Sequence, residues 1–234
     1  MQASSADPGT SAAPVTPLVT VAISTLGQGV RRITLPEARA EICYLILLQR
    51  PQEAAPEIRT ALAARPDVQV VPLNDLGLSN SRNAALTQGK TPLLLFADDD
   101  QALDTAGILA LADAFSQDPD LVLAAGWRAE RLPQGAQVPK RLTRFNSGRI
   151  CAPEFMVRRA AVQALEVRFD PEFGLGARYG AGEDYVFVTD LLRAGGRGRS
   201  VPVVTGSHPH ESTGDNWSDP KIMRARQAMI TRVF

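Results

Sequence analysis

Residues 92–100, PLLLFADDD, constrain this chain more than any other stretch. The apolar run at 93–97 has the length and composition of a strand buried on both faces of a parallel sheet. Three carboxylates follow at once: Asp98, Asp99 and Asp100. Adjacent like charges at the mouth of a sheet repel, and desolvation adds to the cost. A bound divalent cation relieves both effects, because hard cations take carboxylate oxygens. Mg²⁺ and Mn²⁺ accept one or two carboxylates and fill their other positions with water and substrate phosphates. In open α/β sheets ligands sit outside the carboxyl ends of the strands, where these aspartates fall. The plain alternative is a solvated acidic turn that caps the next helix.

The chain has 234 residues, enough for a sizeable core. Its 25 Lys and Arg balance 25 Asp and Glu, so no basic field points to nucleic acid or to an anionic membrane. Two cysteines, Cys43 and Cys151, make neither a disulfide framework nor a CxxC zinc pair, and fit a reducing, cytoplasmic setting. No apolar run approaches the roughly 18 residues of a membrane span, which leaves at most peripheral membrane association. Residues 1–17, rich in Ser, Ala, Pro and Thr, read as a disordered leader without the features of a signal peptide.

From residue 18 the pattern alternates. Strands are expected at 18–24, 44–48, 68–71, 93–97, 121–125 and 154–157, and an edge strand at 201–204, where Pro202 interrupts a ladder. Helices are expected at 56–64, from a Ser79 or Asn80 cap to 88, at 105–117, 158–165, 183–193 and 219–232. This alternation indicates βαβ units and a parallel sheet. Residues 127–150, arginine-rich and aperiodic, read as an irregular excursion. Gly77 permits a turn before the helix that carries Arg82 and Asn83 in its first turn. That helix start could offer N–H groups to a phosphate, and Arg82 could neutralise a diphosphate or brace Asp98. The stretch FDPEFGLGARYGAGED holds four glycines (174, 176, 180, 182) and ends at Glu183 and Asp184. Acidic residues in a helix's first turn also follow from the dipole alone. Both histidines, His208 and His210, lie in HPHESTG after the last strand, which suggests metal ligation. No GxGxxG follows a strand, and neither GxxxxGK[ST] nor GxSxG occurs.

In their order, LVTVAISTL, GLSNSRNAAL with LLLFADDD, FDPEFGLGARYGAGED and HPHESTG resemble the family 2 nucleotide-sugar glycosyltransferases of the GT-A fold. The resemblance implies a Rossmann-like α/β/α sandwich with a mostly parallel central sheet. It implies one domain over 18–234, with a nucleotide-sugar half at 18–125 and an acceptor and catalytic half at 126–234. Asp98 and Asp100 resemble the DxD-type motif, which contacts the donor and holds Mn²⁺ or Mg²⁺ against its diphosphate. Thr25, Gln49, Gly77, Arg82, Asp98 and Asp99 are the donor-binding candidates. Asp100 and His208 are the metal candidates, with Asp98 and His210 as further ones. Asp184 resembles the general base of inverting members, and Glu183 its companion, holding the acceptor or orienting the loop. The implied activity is metal-dependent transfer of a sugar, with inversion, from a nucleotide-diphosphate donor to a glycan, lipid-linked or small-molecule acceptor, as in polysaccharide biosynthesis.

Two departures stand out. The family's acidic pair after the second strand, where an Asp reads uracil, is here Gln49-Arg50-Pro51. Gln49 can still hydrogen-bond a base edge, and a UDP-sugar stays the favoured donor. The first strand lacks the usual Pro-x-x-Asn and reads Ser24-Thr25-Leu26. The glycine-rich loop is expected to close over bound donor and exclude water. Two other functions share parts of this pattern: a sugar-phosphate nucleotidyltransferase, and a non-catalytic nucleotide-sugar-binding module.

Overall fold

The computed structural model describes residues 16–135, 137–210, 216 and 218–234. Most of the expected leader, and residues 211–214 of the HPHESTG motif, lie outside them. Nine strands are present among the described residues: β1 (Val19–Leu26), β2 (Ile42–Gln49), β3 (Val68–Leu73), β4 (Leu93–Asp98), β5 (Ala102–Leu103), β6 (Leu121–Arg128), β7 (Lys140–Arg141), β8 (Phe155–Arg158) and β9 (Arg197–Ser207). The helices are α1 (Pro56–Ala63), α2 (Leu78–Gln88), α3 (Thr105–Gln117), α4 (Arg159–Ala164), α5 (Glu183–Arg193) and α6 (Pro220–Val233).

The sheet runs β3-β2-β1-β4-β8-β6-β9-β5, with β7 also on β9. Strands β1 to β4 are mutually parallel, as are β6 and β9, whereas β8 is antiparallel to both of its neighbours. Side chains alternate across the pleat, and the sequence uses both faces. Val21, Ile23, Ile46, Leu48, Leu93 and Leu95 join Ile108, Leu111 and Phe115 of α3 and Leu62 of α1 in one buried cluster. Ala22, Leu45, Leu47, Leu94 and Phe96 join Leu86 of α2, Val162 of α4, and Phe187 and Leu191 of α5 in another. The result is the expected three-layer sandwich.

The order reverses at β1, which has β2 on one side and β4 on the other. That reversal opens a crevice at the carboxyl ends of these strands. Asp98 ends β4 opposite Ser24 of β1, and Gln49 ends β2 opposite Leu26. Because β8 runs the other way, its amino end lies at the same edge, and residues 151–154 are delivered there.

Two local expectations are corrected. Neither Ser79 nor Asn80 caps α2: the cap is Gly77, at φ 100° and without a side-chain bond. The Ser79 hydroxyl donates instead to Phe173 O (2.7 Å), and the Asn80 amide to Leu76 O (2.7 Å). The strand expected at 201–204 is longer and is not a sheet edge, since β6 lies on one side and β5 and β7 on the other. Pro202 is tolerated because pairing lapses around it. The β6 ladder slips between Ser200 and Val204, while β7 and β5 pair only with residues 199–200 and 206–207.

Helix α3 is capped by Asp104, whose carboxylate accepts the Gly107 N–H at 3.0 Å. A Cβ on Gly107 would stand 1.5 Å from Val204 O of β9. Gly107→Ala is therefore expected to force the helix off the sheet, at the overpacking cost of about 1–3 kcal/mol. Urea unfolding checks this, and an unchanged midpoint would contradict the close approach.

Candidate active site

A cleft of about 760 Å³ opens at the carboxyl edge of the sheet. Thr25, Gln49, Gly77, Arg82, Asp98, Asp99 and Asp100 line it from the first half of the chain. Glu183, Asp184 and His208 line it from the second, while His210 is exposed outside it.

The three aspartates diverge. Asp98 accepts Arg82 Nη2 on Oδ1 and Gln101 Nε2 on Oδ2, both at 3.2 Å. Asp99 turns inward. Its Oδ2 accepts the Thr25 hydroxyl at 2.6 Å, and its Oδ1 accepts Arg32 Nε at 3.0 Å and Nη2 at 2.5 Å. Burial raises the Asp99 pKa, against the opposing bonds from Thr25 and Arg32. Asp100 faces outward toward His208. Gly29 makes room for the inward turn, since a Cβ there would stand 2.3 Å from Asp99 Oδ2.

Arg82 is the hub. Its side chain is 2% exposed, and its guanidinium lies 5.7 Å from the centre of the Phe169 ring. Besides Asp98 it reaches Glu183 Oε1 (Nη1, 3.2 Å) and, through the same nitrogen, Asp184 Oδ1. Burial lowers the guanidinium pKa, but Asp184, Asp98 and Glu183 more than reverse this and hold it above the ordinary arginine value. Three carboxylates thus share one cation. Burial pushes Asp184 up to about 8; Arg82 opposes the rise, and Glu183 and Asp98 add to it. Beneath, Phe96, Phe155, Phe169 and Phe187 pack together, with Phe169 stacked on Phe187 at 3.9 Å. This aromatic floor fixes the start of α5. Asn83 clamps the chain entering the glycine loop, exchanging two 2.8 Å bonds with the backbone of Phe169.

A closed circuit joins the two halves. From Asp98 it passes through Arg82 to Asp184, whose Oδ2 accepts the Ala152 N–H at 3.3 Å. Ala152 O accepts Gln101 Nε2 at 2.9 Å, and Gln101 returns to Asp98. Gln101 also accepts the Asp98 N–H on Oε1 at 2.9 Å. The sequence offers no pattern that marks Gln101 or Ala152, beyond Gln101's place directly after the aspartates.

Other candidates brace the walls. Gln49 Nε2 donates to Asp75 O (2.6 Å) and Gly77 O (3.1 Å), shaping the loop before α2. The first N–H of α2 is not offered to a phosphate as expected: Leu78 N donates to Leu175 O at 2.9 Å. Backbones touch there, since a Cβ on Gly176 would stand 3.3 Å from Gly77 Cα. Cys151 also lines the cleft, but burial and Glu154 raise its pKa, which keeps the thiol protonated.

A cation held here would take Asp100 and His208, whose Oδ2 and Nε2 stand 3.5 Å apart. One carboxylate and one imidazole facing an open cleft fit an ion that completes its sphere with water and phosphate. No cluster of three His, Cys, Asp or Glu side chains is placed for a metal among the described residues. Metal-bound imidazoles usually donate their second N–H to an acceptor. Here Nδ1 of His208 meets Arg128 Nη1 at 3.2 Å. Arginine only donates, so Nδ1 accepts and the proton sits on Nε2. Ligation therefore requires that proton to leave Nε2 and Arg128 to turn away.

No protein-family model and no curated protein sequence matches this chain. Solved structures do. Residues 1–349 of S. aureus TarS match at 15% identity and a TM-score of 0.63, over 92% of this chain and 65% of that one. The same piece in complex with UDP-GlcNAc gives 15% and 0.63, over 92% and 66%. In complex with UDP it gives 17% and 0.58, over 91% and 65%. This chain thus spans just under two thirds of the TarS piece it matches. The likeness establishes the fold, the GT-A-type α/β sandwich that the sequence resemblance implies. No helix among the described residues is long and apolar enough to cross a membrane.

Proposed function

We propose that this protein is a nucleotide-sugar glycosyltransferase that transfers a sugar with inversion from a nucleoside-diphosphate donor, a UDP-sugar first, to a hydroxyl of a glycan, lipid-linked or small-molecule acceptor. The observation that carries this is the cleft itself. Donor-side carboxylates at the end of β4 face a second carboxylate pair at the start of α5, tied to Asp98 by one buried arginine. The fold is that of a protein crystallised with UDP-GlcNAc and with UDP.

The chemistry follows from the placement. Thr25, Gln49, Gly77 and the strand ends shape the nucleotide end of the cleft. Asp98 and Asp100 lie where the sugar diphosphate would stand. A divalent cation, held by Asp100 and His208, would neutralise charge on the departing diphosphate. Asp184 takes the acceptor proton as the new bond forms. Each of its oxygens has two lone pairs, so the bonds from Arg82 and Ala152 leave room for a proton. Its raised pKa makes it a stronger base than an ordinary aspartate. Glu183, on the same guanidinium, holds the acceptor end of α5.

The test is a thermal-shift screen of nucleoside diphosphates and their sugars, with and without Mn²⁺. UDP and UDP-GlcNAc are expected to raise the melting temperature, more so with Mn²⁺, and Asp100→Ala to remove the Mn²⁺ increment. No shift with any nucleotide overturns the reading. Pyrophosphate release from UTP and a sugar phosphate would redirect it to nucleotidyl transfer.

A further inference from the structure

We propose that Gln101 is a positioning residue that holds Asp98 and, through Ala152, the orientation of Asp184, so that the donor end of the cleft and its base are set as one unit. The inference rests on the reading of Asp184 as the base.

All three polar bonds of the Gln101 side chain run within the site. Nε2 donates to Asp98 Oδ2 and Ala152 O, and Oε1 accepts the Asp98 N–H. Gln101 is 7% exposed, so a lost bond is not made good by bulk water. This position needs two donors and one acceptor in one plane at this reach, which a primary amide supplies and a carboxylate does not. The backbone around Gln101 is fixed too. Its N–H donates to Asp98 O at 3.4 Å, and Ala102 pairs with Ser207 of β9. Ala152 is fixed from the other side, because antiparallel β8 begins just beyond it. Gln101 thus belongs to the half that carries the aspartates and bonds to the half that carries the base. The circuit has two links between Asp98 and Asp184, Arg82 on one arc and Gln101 with Ala152 on the other. Arg82 supplies charge. Gln101 supplies none, so it sets geometry without altering the charge balance.

The variants are Gln101→Glu, which keeps shape but cannot donate, and Gln101→Met, which keeps volume without polarity and serves if the first fails to fold. The assay follows UDP release from UDP-GlcNAc with water as acceptor, alongside UDP binding by calorimetry. Misplacing a catalytic group by an ångström costs about 10²-fold. The expected result is a kcat loss of that order with UDP affinity within about threefold of the parent. In Gln101→Glu the added carboxylate beside Asp98 should also move the rising limb of the kcat–pH profile to higher pH, a change that simple loosening would not give. Against an Asp184→Asn background either substitution should cost less than in the parent, because the part that acts through the base is already removed. Near-native kcat in both variants, a loss confined to UDP affinity, or full additivity with Asp184→Asn overturns the role. If Asp184→Asn is slow and the Gln101 variants are not, only the positioning role falls. If Asp184→Asn itself turns over normally, the base falls and this role with it.

Discussion

Arg82→Met should be the most damaging single substitution in this chain. It is expected to cost about 3–5 kcal/mol of stability, as does breaking a buried ion pair by removing one partner. The guanidinium is the shared partner of Glu183 and Asp184, which are nearly as buried as it is, and of the more exposed Asp98. Without it, three carboxylates meet with no cation between them, and Asp184, which burial already holds high and Arg82 holds down, rises further. A carboxylate whose folded pKa exceeds its unfolded value binds its proton more tightly in the native state. Its favourable contribution is then complete below the unfolded pKa and is lost as pH rises through the folded one. The deficit should therefore be small near pH 4 and grow as pH rises past about 8, where Asp184 ionises in the parent and not yet in the variant, which urea midpoints on either side of that range would reveal. Equal midpoints across that range would mean that water reaches these carboxylates and that the arginine is not their counter-ion.

Asp184→Asn carries the second large effect, on rate. Removing a positioned base is expected to lower kcat on the order of 10²–10⁴-fold. UDP affinity should hardly change, since a group acting in the transition state contributes little to ground-state binding. In the parent protein kcat should rise with pH and level off above about 8, where Asp184 is ionised; the variant should lose that limb. The linkage sign is opposite for the fold. With its folded pKa raised above the unfolded value, Asp184 stabilises the native state at low pH and ceases to do so as pH rises through about 8. Activity should thus climb over the range in which this group withdraws stability, and Asp184→Asn should flatten both trends. The first-formed anomer of sugar released from UDP-GlcNAc, read by NMR, should be inverted. Retention, or rapid turnover by the variant, would transfer attention to Glu183.

Local pattern revealed much of this architecture and little of its wiring. The run at 93–97 and the stripe of Ile108, Leu111 and Phe115 place β4 and α3 because burial selects residue type directly. Helix α5 begins at Glu183 as read, since the glycine before it supplies a left-handed φ of 100°. The direction of β8 was not legible, as antiparallel and parallel buried strands have the same composition. Nor was the fate of the aspartates. Three identical residues in a row look equivalent, yet β4 ends at Asp98, which faces the arginine, and the turn after it sends Asp99 into the interior and Asp100 to solvent. Gln101 escaped notice because it is a common polar residue in a turn, and its partner is a backbone group 51 positions away. The α2 cap failed for a related reason: the Ser79 hydroxyl found a carbonyl 94 positions away, where a local rule looks no further than one turn.

The seam at Gly77 and Gly176 bears on how substrates come and go. Leu78 N–H and the Ser79 hydroxyl stitch the first turn of α2 to the loop that leads into α5. A flap swinging on the loop's glycines would have to tear this stitching or drag α2 along, and α2 carries the arginine that holds both carboxylates. Opening that drags α2 along therefore also pulls the guanidinium away from Glu183 and Asp184. Under the proposed function, a donor caught in such an open form would meet a base without its guanidinium, and waste of the activated sugar on water would be checked by mechanics before chemistry is involved. Exchange of donor and product is then expected through the standing mouth of the cleft, with the walls kept together.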